Sequence, residues 1–202
     1  MPSFLGDYPN CSRDRNTKFI RAVDSFLAQT HEDKELVVIA DGCPTTKAIL
    51  LSKYRKEINS GLIVLVEYAR TNRKETFLGH VRQKGINKAT GDVIGNLDSD
   101  DILLPNHLSN IAVSFGTANW VFWNTITKPD ELKDVEFFSD IKPELGSLNN
   151  GSIAWRAGLG LSWAGCDGVH DSQAFIAQLL TFPNHKKIYG CSYVICHIII
   201  KK

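Results

Sequence analysis

An α/β fold, with a mainly parallel sheet and helices on both of its faces, is the architecture this sequence predicts. Three observations lead there. Apolar residues recur at helical spacing in several segments, short continuous apolar runs fall between those segments, and Gly, Pro, Asp and Asn punctuate the junctions. The resulting order is β-α-β-α-β, which right-handed crossover connections turn into parallel strands covered by helices.

Phe19, Ile20, Val23, Phe26 and Leu27 predict a helix over about 15–29, with Asp14 or Asn16 available to cap its start. A strand follows over 35–40, and Asp41-Gly42-Cys43-Pro44 is its turn. A second helix is expected over about 45–58 and a buried strand over 62–66. Residues 70–78 are polar and basic without periodicity, 79–90 read as a helix closed by Thr90-Gly91, and 92–97 read as the next strand. A helix over 105–115 and a strand over 120–126 come after it. From about 127 to 150 the chain is polar and irregular for longer than an ordinary connector, which marks a functional or mobile stretch. The remainder predicts a short strand over 152–155, a glycine-rich turn through Gly165 and Gly168, a helix over 171–181, and final strands between about 186 and 199.

A chain of 202 residues, 43% hydrophobic and 22% charged, can bury one substantial core, so a single domain over 1–202 is expected. Its 23 basic and 22 acidic residues create no global field that would draw it to nucleic acid or anionic lipid. No nucleic-acid partner is therefore expected, and recognition must be local. Five scattered cysteines, an odd number, do not look like a secreted disulfide framework and favour a reducing, cytoplasmic setting. Cys191, Cys196 and His197 match no zinc spacing and lie in an alternating stretch that reads as a strand. No apolar run approaches the roughly 20 residues of a transmembrane helix, while peripheral membrane association stays open. The closing Ile198-Ile199-Ile200-Lys201-Lys202 stops within an apolar run, as one domain of a longer chain would.

The chemistry concentrates in Asp98-Ser99-Asp100-Asp101, which sits where the strand over 92–97 should end. Open α/β sheets bind ligands beyond the carboxyl ends of their strands. Hard carboxylate oxygens there suit Mg²⁺ or Mn²⁺, ions commonly held by one or two carboxylates together with substrate phosphates. The competing reading is a solvated acidic turn in which Asp101 caps the helix near Pro105.

Several segments, in the right order, resemble the family 2 glycosyltransferases, which have the GT-A fold. Residues 22–30 look like that family's first helix, and 36–42 like its strand and D-G turn. Arg82-Gln83-Lys84-Gly85-Ile86-Asn87-Lys88-Ala89-Thr90-Gly91-Asp92 looks like its R-N-x-G-I-x-x-A-x-G segment. Asp98-Ser99-Asp100-Asp101 with Pro105-Asn106-His107-Leu108 matches its D-S-D-D-x-x-x-P-x-x-L signature. In the second half only Gly168-Val169-His170-Asp171 resembles the family, at its E-D step into a helix, with His170 where the usual Glu stands. Met1-Pro2-Ser3-Phe4 looks like the end of the first strand, with the preceding apolar residues absent.

The resemblance implies a GT-A domain whose half 1–110 binds a nucleotide-diphosphate sugar and whose smaller, mixed half 111–202, including the irregular stretch, faces a carbohydrate-bearing acceptor. It implies Asp100 as the main metal ligand and Asp98 as a second contact to metal or ribose. Asp41 would accept a hydrogen bond from the nucleotide base, most often uracil, with Pro2 and Ser3 beside it. Arg82 would contact the nucleotide or brace the aspartate turn, and Asp171 would be the general base of an inverting single displacement. His197 is a further candidate for metal or pyrophosphate, against the plainer role of a core histidine. Arg70, Arg73 and Lys74 read as solvated charges, and Trp155 and Trp163 as core aromatics or sugar-stacking platforms. A nucleotidylyltransferase would want a glycine- and lysine-rich loop after the first strand, which 5–15 does not supply. The rival from another class is a catalytically silent nucleotide-sugar or glycan-binding domain of a larger protein.

Overall fold

The structure is a computed structural model and describes residues 1–6, 13–69, 78–128, 137–166, 171–190 and 193–195. Its parallel part is a three-stranded sheet of β1 (Pro2–Ser3), β2 (Leu36–Asp41) and β3 (Ile63–Tyr68), in that order. Leu36 lies opposite Ile63 at one end of the β2–β3 pair and Asp41 opposite Tyr68 at the other, while β1 joins through Pro2 opposite Ile39 and Ser3 opposite Ala40. The first five residues of β2 are buried, as expected of a strand covered on both faces.

Helix α1 (Arg15–Leu27) buries Phe19, Ala22, Val23 and Phe26, the face its periodicity predicts. Asp14 stands at its N-cap in a left-handed conformation, φ 55°, and makes no side-chain capping bond. The helix expected over 45–58 is two helices, α2 (Pro44–Lys53) and α3 (Arg55–Asn59). The break falls at Tyr54, whose ring is buried and whose hydroxyl donates to Asp24 Oδ1 at 2.8 Å, so a contact with α1 overrides continuous helix geometry. Helix α4 (Leu78–Ile86) packs against β1 and β2 and stops four residues earlier than periodicity suggests.

β4 (Val93–Gly95) leads into the aspartate turn, and a two-residue strand, β5 (Ile102–Leu103), leaves it before α5 (His107–Phe115). The strand expected over 120–126 is split into β6 (Trp120–Phe122) and β7 (Thr125–Thr127), which belong to different sheets. Trp123 causes the division: its backbone N–H donates to Ser152 O at 3.0 Å and its indole Nε1 to Gly151 O at 2.8 Å. The irregular stretch contains β8 (Phe137–Ser139), and a short 3₁₀ turn over Asn150–Ser152 introduces β9 (Ile153–Arg156). Helix α6 (Asp171–Leu179), β10 (His185–Lys187) and β11 (Tyr193–Ile195) complete the order. One mixed sheet runs β10-β6-β9-β4 and the other β5-β11-β7-β8. The α/β class and the helix-flanked parallel sheet hold, with a larger share of antiparallel pairing than the alternation alone suggests.

Trp155 and Trp163 are fully enclosed in a core with Phe175, Ile176 and Leu179 of α6. They are packing residues and present no face for a sugar to stack on. A second core gathers α1, β2, α5 and the buried face of β6. Between the β1–β2 edge and β4 lies a cavity of about 880 Å³, lined by Met1, Leu36, Val37, Ile94, Leu97 and Ile111 among others. Among the described residues, no helix is long and apolar enough to cross a membrane.

Candidate functional site

The carboxyl ends of β1 and β2 form one side of the site. Ser3 is buried, and its hydroxyl lies 2.9 Å from Thr46 Oγ1 of α2, which pins the end of β1 to the start of the next helix. Asp41 is the last residue of β2 and is half-buried. Gly42 follows with φ 60°, a conformation glycine adopts without steric cost, and donates to Tyr68 O at 2.7 Å. That turn directs the chain straight into α2, so Asp41 stays at the strand end instead of receding along a loop.

The other side is the turn Asp98-Ser99-Asp100-Asp101, in which the Asp101 N–H donates to Asp98 O at 3.3 Å. Three distant parts of the chain hold it. Arg82 Nη2, from α4, lies 3.3 Å from Asp98 Oδ1; the arginine side chain is 3% exposed and the aspartate 27%. Arg21, from α1, donates to the Asp100 carbonyl at 3.1 Å. Tyr193, from β11, accepts the Asp98 backbone N–H at 3.0 Å and shares a hydrogen bond with the Asp101 side chain. Burial above all, with the charges of Asp101 and Asp98 behind it, pushes the Tyr193 phenol well above its ordinary pKa, so it remains a hydroxyl. The Met1 amine donates to Val37 O at 2.8 Å. Burial pushes that amine down to about 5, opposed by Asp98 and reinforced by Arg82, whose charges both reach it.

Arg82 also connects this side to the second half of the chain. Its guanidinium lies 4.8 Å from the Trp163 ring centroid, and that ring stacks on Phe175 of α6 at 4.2 Å with the planes 5° apart. Gln83, next to Arg82, accepts the Trp163 N–H at 2.8 Å, and Gln178 of α6 exchanges hydrogen bonds with Ser162. A side chain at Gly79 would meet Cys166 O at 2.4 Å and Trp163 O at 2.6 Å, so α4 abuts the 163–166 segment with no room for a Cβ.

The structure thus brings Asp98, Arg82 and the Met1 amine within electrostatic reach of one another. It places Asp100 in the same turn and sets Pro2, Ser3 and Asp41 on adjoining parallel strands. Asp171 heads α6, the helix that Arg82 reaches through Trp163 and Phe175; its side chain lies outside the described residues. His197, His170, Arg70, Arg73, Lys74, Cys191 and Cys196 also lie outside the described residues. Asp101, expected as a helix cap, is 2% exposed and turned towards Tyr193, while the N-cap of α5 is Asn106. Arg21, Tyr193 and Thr46 escaped the sequence reading, because each acts from an element with no motif of its own.

A divalent cation fits the residues in chemical type. Asp98 and Asp100 are half-buried oxygen donors on one turn, and phosphates would complete their set. Among the described residues, no three His, Cys, Asp or Glu side chains converge to hold a metal without such help. The 880 Å³ cavity touches this site only at Met1, Pro2 and Arg82; Asp41, Asp98 and Asp100 do not line it.

Comparison with known proteins adds an independent line. The model of the family described as "Glycosyl transferase family 2" matches residues 11–122. A curated relative from Nostoc sp., named "Uncharacterized glycosyltransferase alr2836", is 30% identical over 101 residues, covering 50% of this chain and 30% of its own length. "Putative glycosyltransferase EpsH" from Bacillus subtilis is 27% identical over 94 residues, covering 46% and 25%. The chain therefore spans less than a third of the length of these relatives. Among solved structures, S. aureus TarS superposes with a TM-score of 0.71 at 14% identity, over 91% of this chain and 35% of TarS. A structure of TarS 1–349 with UDP-GlcNAc gives 0.68 at 17% identity, over 93% and 57%. GalNAc-T7 with UDP, GalNAc and Mn²⁺ gives 0.63 at 14% identity, over 91% and 42%. At these identities the structural likeness speaks for the fold.

Proposed function

Because this chain belongs to glycosyl transferase family 2, we propose that it moves a sugar from a nucleotide-diphosphate sugar, with UDP as the nucleotide, to a hydroxyl of a glycan, glycolipid or glycoprotein. One observation carries the reading. The half-buried aspartate turn is braced by Arg82, Arg21 and Tyr193, and the same Arg82 leans on the aromatic stack that supports the helix begun by Asp171. In this reading one chain of contacts, Asp98–Arg82–Trp163–Phe175, joins the donor side to the acceptor side. The complexes of TarS with UDP and UDP-GlcNAc, and of GalNAc-T7 with UDP and Mn²⁺, support the choice of nucleotide and metal.

In this reading Asp41 accepts a hydrogen bond from the base, and Pro2 and Ser3 form the wall beside it. Asp100 and Asp98 would hold Mn²⁺ or Mg²⁺ against the pyrophosphate, with His197 as a further candidate. The cation supplies Lewis-acid neutralisation of the charge that builds on the departing nucleoside diphosphate. Arg82 orients the Asp98 carboxylate through its contact at 3.3 Å. Asp171 takes the proton from the acceptor hydroxyl while that oxygen attacks the anomeric carbon and the bond to the diphosphate breaks, which inverts the anomeric configuration. Residues 1–110 then serve the donor and 111–202 the acceptor. The decisive variant is Asp171→Asn. Loss of transfer with donor binding intact is the expected result; unchanged turnover would remove Asp171 from the base role, and transfer absent from the parent chain as well would favour a silent nucleotide-sugar or glycan-binding domain.

A further inference from the structure

We propose that Tyr193 is a positioning residue, whose buried hydroxyl ties the Asp98 main chain to the Asp101 side chain and so fixes the turn that presents Asp98 and Asp100. The role of that turn rests on the donor reading above; the tether itself stands on geometry. Tyr193 is fully buried on β11, where it lies opposite Leu103 of β5 and Thr125 of β7. Its hydroxyl accepts the N–H of the first residue of the turn and bonds the side chain of the last, from 95 positions further along the chain than Asp98. A phenylalanine would fill the same apolar space, so packing alone does not call for the oxygen.

The surroundings are shaped to this ring. A Cβ at Gly151 would lie 2.3 Å from Tyr193 Cε1 and 2.6 Å from Cδ1, so only glycine lets the ring occupy its place. Gly151 is held in turn, because its carbonyl accepts the Trp123 indole N–H at 2.8 Å. His107 meets both rings edge-on, with centroids 4.8 Å from Trp123 and 6.2 Å from Tyr193. The ring is therefore clamped from two sides. The hydroxyl is presented at one place, and the loop beyond β4 must conform to it. This is the way a rigid second layer of side chains sets the aim of the groups that touch a ligand.

The test uses the whole chain and two variants, Tyr193→Phe and Gly151→Ala, with Leu50→Ala, a buried residue of α2, as a core-destabilised control. Amide hydrogen exchange read by NMR reports the tether without any ligand. Exchange at Asp98 should quicken at least tenfold in Tyr193→Phe and stay unchanged in Leu50→Ala. Calorimetric titration with UDP, with and without Mn²⁺, reports the consequence. The Mn²⁺-dependent gain in affinity should fall at least tenfold in both Tyr193→Phe and Gly151→Ala, while the control keeps it. Unchanged exchange at Asp98 in Tyr193→Phe overturns the tether. Quickened exchange with the Mn²⁺-dependent gain intact overturns the positioning role. Absence of that gain in the parent chain counts against the donor reading instead, and the exchange result alone then decides whether Tyr193 holds the turn.

Discussion

Acetylating the amine of Met1 should separate the acid stability of two otherwise identical chains. The amine is buried, donates to Val37 O at 2.8 Å, and is pushed from its ordinary 8.0 to about 5. Between those values the unfolded chain holds a proton that the folded chain has released, so stability rises with pH across the window and falls as the solution is acidified. At about 1.4 kcal/mol per pH unit, the displacement corresponds to about 4 kcal/mol at its limit, of which about 3 kcal/mol is lost between pH 8 and pH 5. An acetyl cap removes the titration, keeps an N–H for Val37, and finds room in the cavity that Met1 helps to line. Urea denaturation of the free and capped chains at several pH values, with Met1 retention checked by mass, gives the comparison. The two should converge near pH 8 and differ by about 3 kcal/mol at pH 5, a gap of roughly 6–12 °C in Tm for a chain of this size. Equal acid sensitivity in the two forms would refute the burial argument.

Two further substitutions probe the brace between the halves. Gly79→Ala places a Cβ against two backbone oxygens of the 163–166 segment and should cost about 1–3 kcal/mol, read as a lowered urea midpoint at unchanged slope; an unshifted midpoint would mean that α4 does not abut the segment. Arg82→Met keeps an apolar side chain over Trp163 but removes the cation from Asp98, and should weaken Mn²⁺-dependent UDP binding about tenfold at a stability cost of about 2 kcal/mol. Binding retained in that variant would show that Asp98 needs no help from α4.

Much of the first 110 residues is legible because these residues carry their own periodicity. The α1 face, the run of β2 and the D-G turn are local patterns, and the structure places them within a few residues of expectation. Arg82 and Asp98 could be paired only through the resemblance, since no spacing rule links a helix residue to a loop 16 positions away. The unexpected features have distant causes. Tyr54 breaks a helix because its hydroxyl belongs to Asp24 of α1. Trp123 ends β6 because both of its N–H groups are taken by 151–152, and a strand pattern over 120–126 contains no record of that. β5 is two residues long, too short for any alternation to show. Tyr193 looked like an ordinary strand residue, since the signal for its role lies in the Asp98 amide and in Gly151.

The most direct measurement is a calorimetric titration of UDP into the parent chain and Asp100→Ala, each with and without Mn²⁺. Mn²⁺ should strengthen binding in the parent chain, and that strengthening should be lost in a variant that remains folded. Binding indifferent to Mn²⁺, or an Mn²⁺ effect that survives Asp100→Ala, would contradict the assignment of the aspartate turn as the seat of the metal and the pyrophosphate.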